Sequence, residues 1–141
     1  MPNTNDSQRF ERTRSDHATE TAEDYVEAIL DLIERDGECR ITPLAEQFGV
    51  THVTASKIIR RLSRDGLVIA KPREPITLTA EGRRLARHCR ERHDVVYRFL
   101  LAIGVGKRIA AVDTEGIEHH VSPQTLKRMR AIADSGRLRS G

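Results

Sequence analysis

Cysteine is scarce in this 141-residue chain: Cys39 and Cys89 are the only two, too few for the disulfide framework of a small secreted domain. Long hydrophobic runs are missing as well. No stretch approaches the roughly 20 apolar residues that a membrane helix needs, so no membrane partner is expected. The opening segment MPNTNDSQRFERTRSD has no apolar run of the signal-peptide kind. Internal repeats and low-complexity tracts are absent. With 38% hydrophobic and 32% charged residues, the composition is that of a soluble globular protein, expected to be cytoplasmic. The length fits one compact unit or two small ones sharing a core.

What is present is an uneven distribution of charge. The net charge is only +3, but residues 21–50 carry a net of −6 and residues 51–92 a net of +7. The basic block suits phosphate contacts. The acidic block suits either a bound cation or a solvated helix face.

The periodicity predicts a mainly helical protein. Residues 1–19 are polar and without period, and read as a flexible arm. Thr21 and Asp24 resemble a capping box that opens a first helix, and Gly37 closes it. Tyr25, Ile29, Leu32 and Ile33 supply its apolar stripe. Ile41, Leu44, Ala45 and Phe48 mark a short second helix with Thr42 as N-cap and Pro43 in its first turn. Gly49 stops it. A third helix follows Thr51, with Val53, Ile58, Ile59 and Leu62 apolar and Lys57, Arg60, Arg61 and Arg64 basic. Residues 67–69 and 76–78 form a β-hairpin around Lys71-Pro72-Arg73-Glu74-Pro75. Thr79 caps a long helix from Ala80 to about Ile103. Further helices are expected from Lys107 to His120 and, after Ser122-Pro123, to about Ser135.

A short helix, a glycine turn, a basic helix and a basic hairpin, in that order, make a winged helix-turn-helix. Ala45 is small where two helices must cross closely, and Gly49 tolerates the positive φ of the turn. Ile58 is expected to return to the core. Thr51, His52, Thr54, Ser56 and Lys57 are the candidates for base edges in the major groove, with Arg60 and Arg61 on phosphates. Lys71 and Arg73 at the wing tip reach backbone or minor groove. The competing reading is a solvated basic helix face, which the ordered run of features disfavours.

A second constellation lies in Asp113-Thr114-Glu115-Gly116-Ile117-Glu118-His119-His120. On a helix, Glu115, Glu118 and His119 share one face, and two carboxylates with an imidazole make half of a divalent-metal site. His120 is turned away. Asp24 and Glu27 share a face of the first helix, and His93 sits within the long helix among apolar neighbours. Taken singly, each fragment is more often a solvated acidic pair or a core histidine. Cys89 and His93 form a smaller rival pair.

At this point the chain resembles the diphtheria-toxin-repressor family of metal-dependent transcriptional repressors over about residues 20–135. The resemblance is carried by EDYVEAILDLIE, ITPLAEQFGVTHVTASKIIRRLSRDGLV, ITLTAEGRRLA, RERHDVVYRFL and DTEGIEHHVSPQTL. It implies a metal set of Asp24, Glu27, His93, Glu115, Glu118 and His119. Carboxylates at Asp24 and Glu115, where iron-responsive members carry Met and Cys, resemble the manganese-responsive branch. Oxygen-rich ligation without thiolate suits Mn²⁺, and Fe²⁺ is the alternative.

The implied function is a manganese-responsive repressor: a homodimer that binds a palindromic double-stranded DNA operator when Mn²⁺ is bound, and represses manganese-uptake genes. An iron-responsive repressor and a metal-independent winged-helix regulator are the alternatives. The implied organisation is an arm over 1–19, a winged helix-turn-helix over 20–79 and a helical metal-binding and dimerisation domain over 80–141, without the SH3-like domain of longer members. Arg9, Arg12 and Arg14 make the arm a candidate DNA tail. No enzyme and no small organic substrate are expected. A dimetal site would need a second Glu-x-x-His segment, and no nucleophile–base pair is apparent.

Overall fold

The computed structural model describes the backbone of residues 4–136 and the side chains of residues 17–136. Its helices are α1 (Thr4–Asp36), α2 (Ile41–Phe48), α3 (His52–Arg64), α4 (Ala80–Ala102), α5 (Lys107–Ile117) and α6 (Pro123–Ser135). Two short strands, β1 (Val68–Ile69) and β2 (Thr77–Leu78), pair antiparallel with Val68 opposite Leu78. A 3₁₀ turn spans Glu118–His120. Contacts divide the chain into two compact units, Met1–Ala86 and Arg87–Gly141, with the division inside α4.

The first unit is the expected winged helix-turn-helix, with some changes. Helix α1 begins at Thr4 and takes in most of the segment that read as an arm. The sequence between Asn3 and Gly37 contains neither Gly nor Pro. A polar stretch without a breaker therefore continues the helix, although it lacks an apolar stripe. Thr21 is no cap: its hydroxyl donates to the His17 carbonyl at 2.9 Å, one turn back inside the helix. The side chains of Arg9, Arg12 and Arg14, and the C-terminal RLRSG, lie outside the described residues. Gly37 closes α1 at φ +86°, as its lack of a Cβ allows.

Helix α2 starts at Ile41 with extended Arg40 as its N-cap, so Thr42 is inside the helix. The reason lies upstream. Ile76 N–H donates to the Cys39 carbonyl at 2.7 Å, an isolated antiparallel bridge that straightens the chain up to Arg40. Pro43 falls in the first turn, where a missing N–H costs nothing. Thr51 caps α3 as expected, its Oγ1 accepting from Thr54 N–H at 3.1 Å. The core of this unit gathers Val26, Ile29, Leu30 and Leu32 of α1, Leu44 of α2, Ile59 and Leu62 of α3, and Val68, Ile76 and Leu78 of the wing. Each fully buried side chain of this size stabilises by about 1.5–3 kcal/mol. Tyr25 and Phe48 stack with ring centroids 4.1 Å apart and join α1 to α2. Ile59 is the deeply buried member of its pair, and Ile58 is half-buried.

The wing is anchored to α4 at one point. Thr79 Oγ1 donates to the Gly66 carbonyl at 2.6 Å and accepts from Gly82 N–H at 3.0 Å, capping α4. Gly82 lies against the Leu67 backbone so closely that an added Cβ would meet its carbonyl oxygen at 1.9 Å.

In the second unit, Val95, Val96 and Leu100 of α4 pack with Ala110 of α5 and Leu126 of α6. Ser122 caps α6, accepting from Thr125 N–H at 3.2 Å. Arg130 donates to Glu91 at 2.6 Å and Arg98 to Asp134 at 2.8 Å, exposed ties between α4 and α6 that add little stability.

Candidate nucleic-acid interface and metal centre

The basic residues of the first unit line a groove. A cavity of about 580 Å³ is bounded by Arg40, Ile41 and Thr42 at the start of α2, by His52, Ser56, Ile59 and Arg60 of α3, and by the wing from Ala70 to Glu74. A neighbouring recess is lined by Lys57, Arg60, Ser63, Arg64 and Ala70. Thr51, His52, Thr54, Lys57, Arg60, Lys71 and Arg73 are all exposed, while Ser56 and Arg61 are half-buried. Arg73 holds φ +65°, unusual for a residue with a Cβ, and so sets the wing tip in a specific turn.

Val53 departs from expectation. It is 62% exposed on the first turn of α3, whereas Ala55, Ile59 and Leu62 face the core. Periodicity counted it as one more apolar residue. The signal that separates it is phase: it lies about 200° round the helix from Ala55 and 240° from Ile59, given roughly 100° per residue. An exposed methyl-bearing residue beside Thr54 is a surface suited to a thymine methyl group. Arg40 and Thr42 are further groove residues that the sequence reading did not pick out.

In the second unit the acidic and imidazole residues converge. His93 Nδ1 lies 3.7 Å from Glu115 Oε1 and 3.7 Å from Glu118 Oε1. His119 Nε2 lies 3.6 Å from Glu118 Oε1. These spacings exceed a hydrogen bond. The ligand atoms of His93, Glu115 and Glu118 all fall within 4.8 Å of one another, as donors around a common ion would. Glu115 is exposed, while the side chains of Glu118 and His119 are each 2% exposed. Glu118 Oε2 is buried and takes no hydrogen bond among the described residues. A buried carboxylate oxygen in that condition is costly unless a cation meets it. Glu118 also interacts electrostatically with Arg92, whose guanidinium is pushed below its usual pKa by burial and partly restored by Glu118. The donor set is oxygen and nitrogen without thiolate, so these residues fit a hard divalent ion.

The local structure explains this convergence better than one helix face does. Helix α5 ends at Ile117, and Glu118 and His119 sit on the tighter 3₁₀ turn that follows. Threonine at 114 is buried with its hydroxyl on the Ala110 carbonyl at 2.6 Å, which fixes the last turn of α5. His120 is exposed. Cys89 is buried but does not join a cluster of metal-ligating side chains among the described residues. Asp24 and Glu27 are half-buried on α1 in the first unit, next to the fully buried side of that helix at Glu23.

A winged helix-turn-helix joined to a helical unit with a carboxylate–imidazole cluster defines a class: DNA-binding proteins equipped to respond to a metal ion. Comparison with known proteins places the chain within that class. Residues 17–75 match the iron dependent repressor N-terminal DNA binding domain, and residues 79–135 match the iron dependent repressor metal binding and dimerisation domain. The chain belongs to the iron-dependent repressor family, and is a transcriptional regulator rather than an enzyme. It is 46% identical over 121 residues to a protein called transcriptional regulator MntR from Escherichia coli O6:H1 (strain CFT073), covering 86% of this chain and 78% of that one. It is 33% identical over 111 residues to HTH-type transcriptional regulator MntR from Bacillus subtilis (strain 168), covering 79% and 78%. Among solved structures, a manganese-dependent transcriptional repressor in complex with manganese is similar at TM-score 0.69 and 35% identity, over 79% of this chain and 52% of that one. The manganese regulator SloR is similar at TM-score 0.70 and 25% identity, over 80% and 53%. The chain thus spans about half the length of those two solved regulators.

Proposed function

We propose that the protein is a manganese-responsive repressor: a homodimer that binds a palindromic DNA operator in its metal-loaded form and controls manganese uptake. The observation that carries the reading is the buried Glu118 carboxylate among His93, Glu115 and His119 in a chain that also has a basic groove. Residues 20–79 serve DNA and residues 80–141 serve metal binding and dimerisation in this reading. No described helix is long and apolar enough to cross a membrane, and a cytoplasmic location follows from the proposed role.

His93, Glu115, Glu118 and His119 would hold the ion from the second unit, and Asp24 and Glu27 from α1. A bound divalent ion supplies positive charge that offsets carboxylate repulsion. The protein's own residues then do the coupling. Asp24 and Glu27 belong to the helix whose Tyr25 stacks on Phe48, so α1 cannot shift without moving α2 and the helix-turn-helix. Thr51, His52, Thr54, Ser56 and Lys57 meet base edges, Val53 meets a thymine methyl, and Arg60, Arg61, Lys71 and Arg73 hold phosphates. Ile103, Ile109 and Val112 are 43%, 49% and 66% exposed and give α5 and the turn before it the apolar surface that a second subunit would cover. Metal and DNA favour the same state, so operator DNA tightens metal binding by the factor by which metal tightens DNA binding.

The test is binding of operator DNA, selected from a random duplex pool, with Mn²⁺, Fe²⁺, Zn²⁺ or a chelator under anaerobic conditions. Wild type should bind with Mn²⁺ and release with chelator, and Glu115→Ala and His119→Ala should lose the response while remaining folded dimers. Binding indifferent to chelator would instead establish a metal-independent regulator. A response to Fe²⁺ alone would assign iron.

A further inference from the structure

The groove beside α3 contains one cation outside the helix-turn-helix and the wing tip. Arg40 lines it together with Arg60, Lys71 and Arg73, and Glu74 is the only carboxylate among the lining residues. The placement of Arg40 is fixed by the backbone. Cys39 is bridged to Ile76 at the foot of the wing and is fully buried. Successive side chains of an extended strand alternate in direction. With Cys39 inward, Glu38 and Arg40 both point out, and both are exposed. They meet there: Arg40 Nε donates to Glu38 Oε1 at 2.9 Å, with the side chains 49% and 50% exposed. Arg40 is extended at φ −117° and ψ 161°, and its side chain is not used to cap α2.

We infer that Arg40 is a DNA-phosphate ligand whose guanidinium is held by Glu38 until DNA arrives. This rests on the DNA-binding reading of the groove. A backbone phosphate that enters the groove meets four cationic side chains on three separate chain segments. Three of them are anchored on α3 or the wing, and Arg40 completes the rim at the α2 side. The exchange is inexpensive, because an exposed ion pair is weak and a phosphate can accept two parallel hydrogen bonds from the guanidinium where Glu38 accepts one from Nε. Glu38 therefore acts as a brake: it lowers affinity for any duplex by competing for Arg40. The pair provides a sequence-independent restraint on binding, separate from base reading by α3.

The experiment measures the salt dependence of binding by the Mn²⁺-loaded protein to a random-sequence duplex and to the selected operator. Arg60→Ala is measured in parallel as the control for the groove. Arg40→Ala should weaken both duplexes about tenfold and reduce the slope of log affinity against log salt by about 0.9, one phosphate contact. Arg40→Lys should keep most of the slope. Glu38→Gln should raise affinity for both duplexes about two- to fivefold, and this gain should vanish when combined with Arg40→Ala. If Arg60→Ala lowers the slope and Arg40→Ala does not, the inference is overturned and the groove reading stands. If neither lowers it, the groove reading itself fails. An equal gain from Glu38→Gln with or without Arg40 overturns the brake, since Glu38 would then act only through overall charge.

Discussion

Both units bury polar side-chain atoms that make no hydrogen bond among the described residues, the Tyr25 hydroxyl among them in the first and Glu118 Oε2 in the second. Their surroundings differ completely. Tyr25 lies in the apolar core, stacked on Phe48, and burial alone pushes its phenol pKa up. Glu118 lies within 4 Å of the imidazoles of His93 and His119, with Glu115 converging on the same His93 nitrogen. A buried polar atom by itself marks a local cost of packing. It marks a binding site only where further groups of ligand chemistry converge on it. The contrast predicts that removing one atom should abolish a function and removing the other should change almost nothing.

The largest effect is expected at Glu118. Glu118→Gln keeps the shape and removes the charge. It should lower operator affinity in Mn²⁺ to the chelated level, a loss on the order of 5- to 150-fold if the coupling is of usual size. Ion binding to the native state raises Tm, and the variant should lose that rise as measured by thermal melts with and without Mn²⁺. Retention of the rise would mean that Glu118 is buried for structural reasons, as Tyr25 is.

Gly82→Ala supplies the structural counterpart. The new Cβ would press on the Leu67 carbonyl beneath the wing. Overpacking against backbone costs about 1–3 kcal/mol or more. The variant should melt lower both with and without Mn²⁺, while the increment on adding metal stays as in the wild type. A lost increment would mean that the base of the wing takes part in the metal response.

The site was legible in the sequence to different depths, for physical reasons. Thr51, Gly49 and Ser122 act through backbone groups a few residues away and were read correctly, whereas Thr21 and Thr42, read as caps on equally local grounds, lie inside their helices. The carboxylate and imidazole residues of 113–120 were found by type and spacing. Their geometry was not, because the helix gives way to a 3₁₀ turn at Glu118, and nothing in EGIEHH marks that change. Helix α1 was begun too late because the absence of apolar period was weighed above the absence of Gly and Pro. Arg40 was invisible for a different reason. Its position depends on the bridge from Cys39 to Ile76, a contact 37 residues apart in sequence, which no local pattern encodes. Val53 was assigned by hydrophobicity, when its angle on α3 decides its exposure.

Alkaline pH should produce a smaller effect confined to the first unit. Burial raises the Cys39 thiol from 9.0 to about 11 and raises the Tyr25 phenol above 10.0. Both groups thus hold their protons more tightly when folded than when unfolded. Their contribution is intact below pH 9 and is lost as pH rises through 9 to 11. Denaturation midpoints should fall across that window, and Cys39→Ala should flatten its lower part. A thiol reagent should react with Cys39 only on unfolding, since the side chain is fully buried and its thiolate disfavoured.

Tyr25→Phe is expected to have the smallest effect and gives the sharpest test of the contrast. It deletes only the hydroxyl and retains the stack on Phe48, at a ring spacing of 4.1 Å. A buried hydroxyl without a partner contributes desolvation cost and no compensating bond. Its removal should leave stability unchanged or raise it by up to about 1 kcal/mol. Metal response and operator affinity should remain as in the wild type, since the ring that links α1 to α2 is still in place. If Tyr25→Phe instead weakened the response to Mn²⁺, the hydroxyl would be part of the coupling between α1 and the helix-turn-helix, and the two buried atoms would belong to one mechanism.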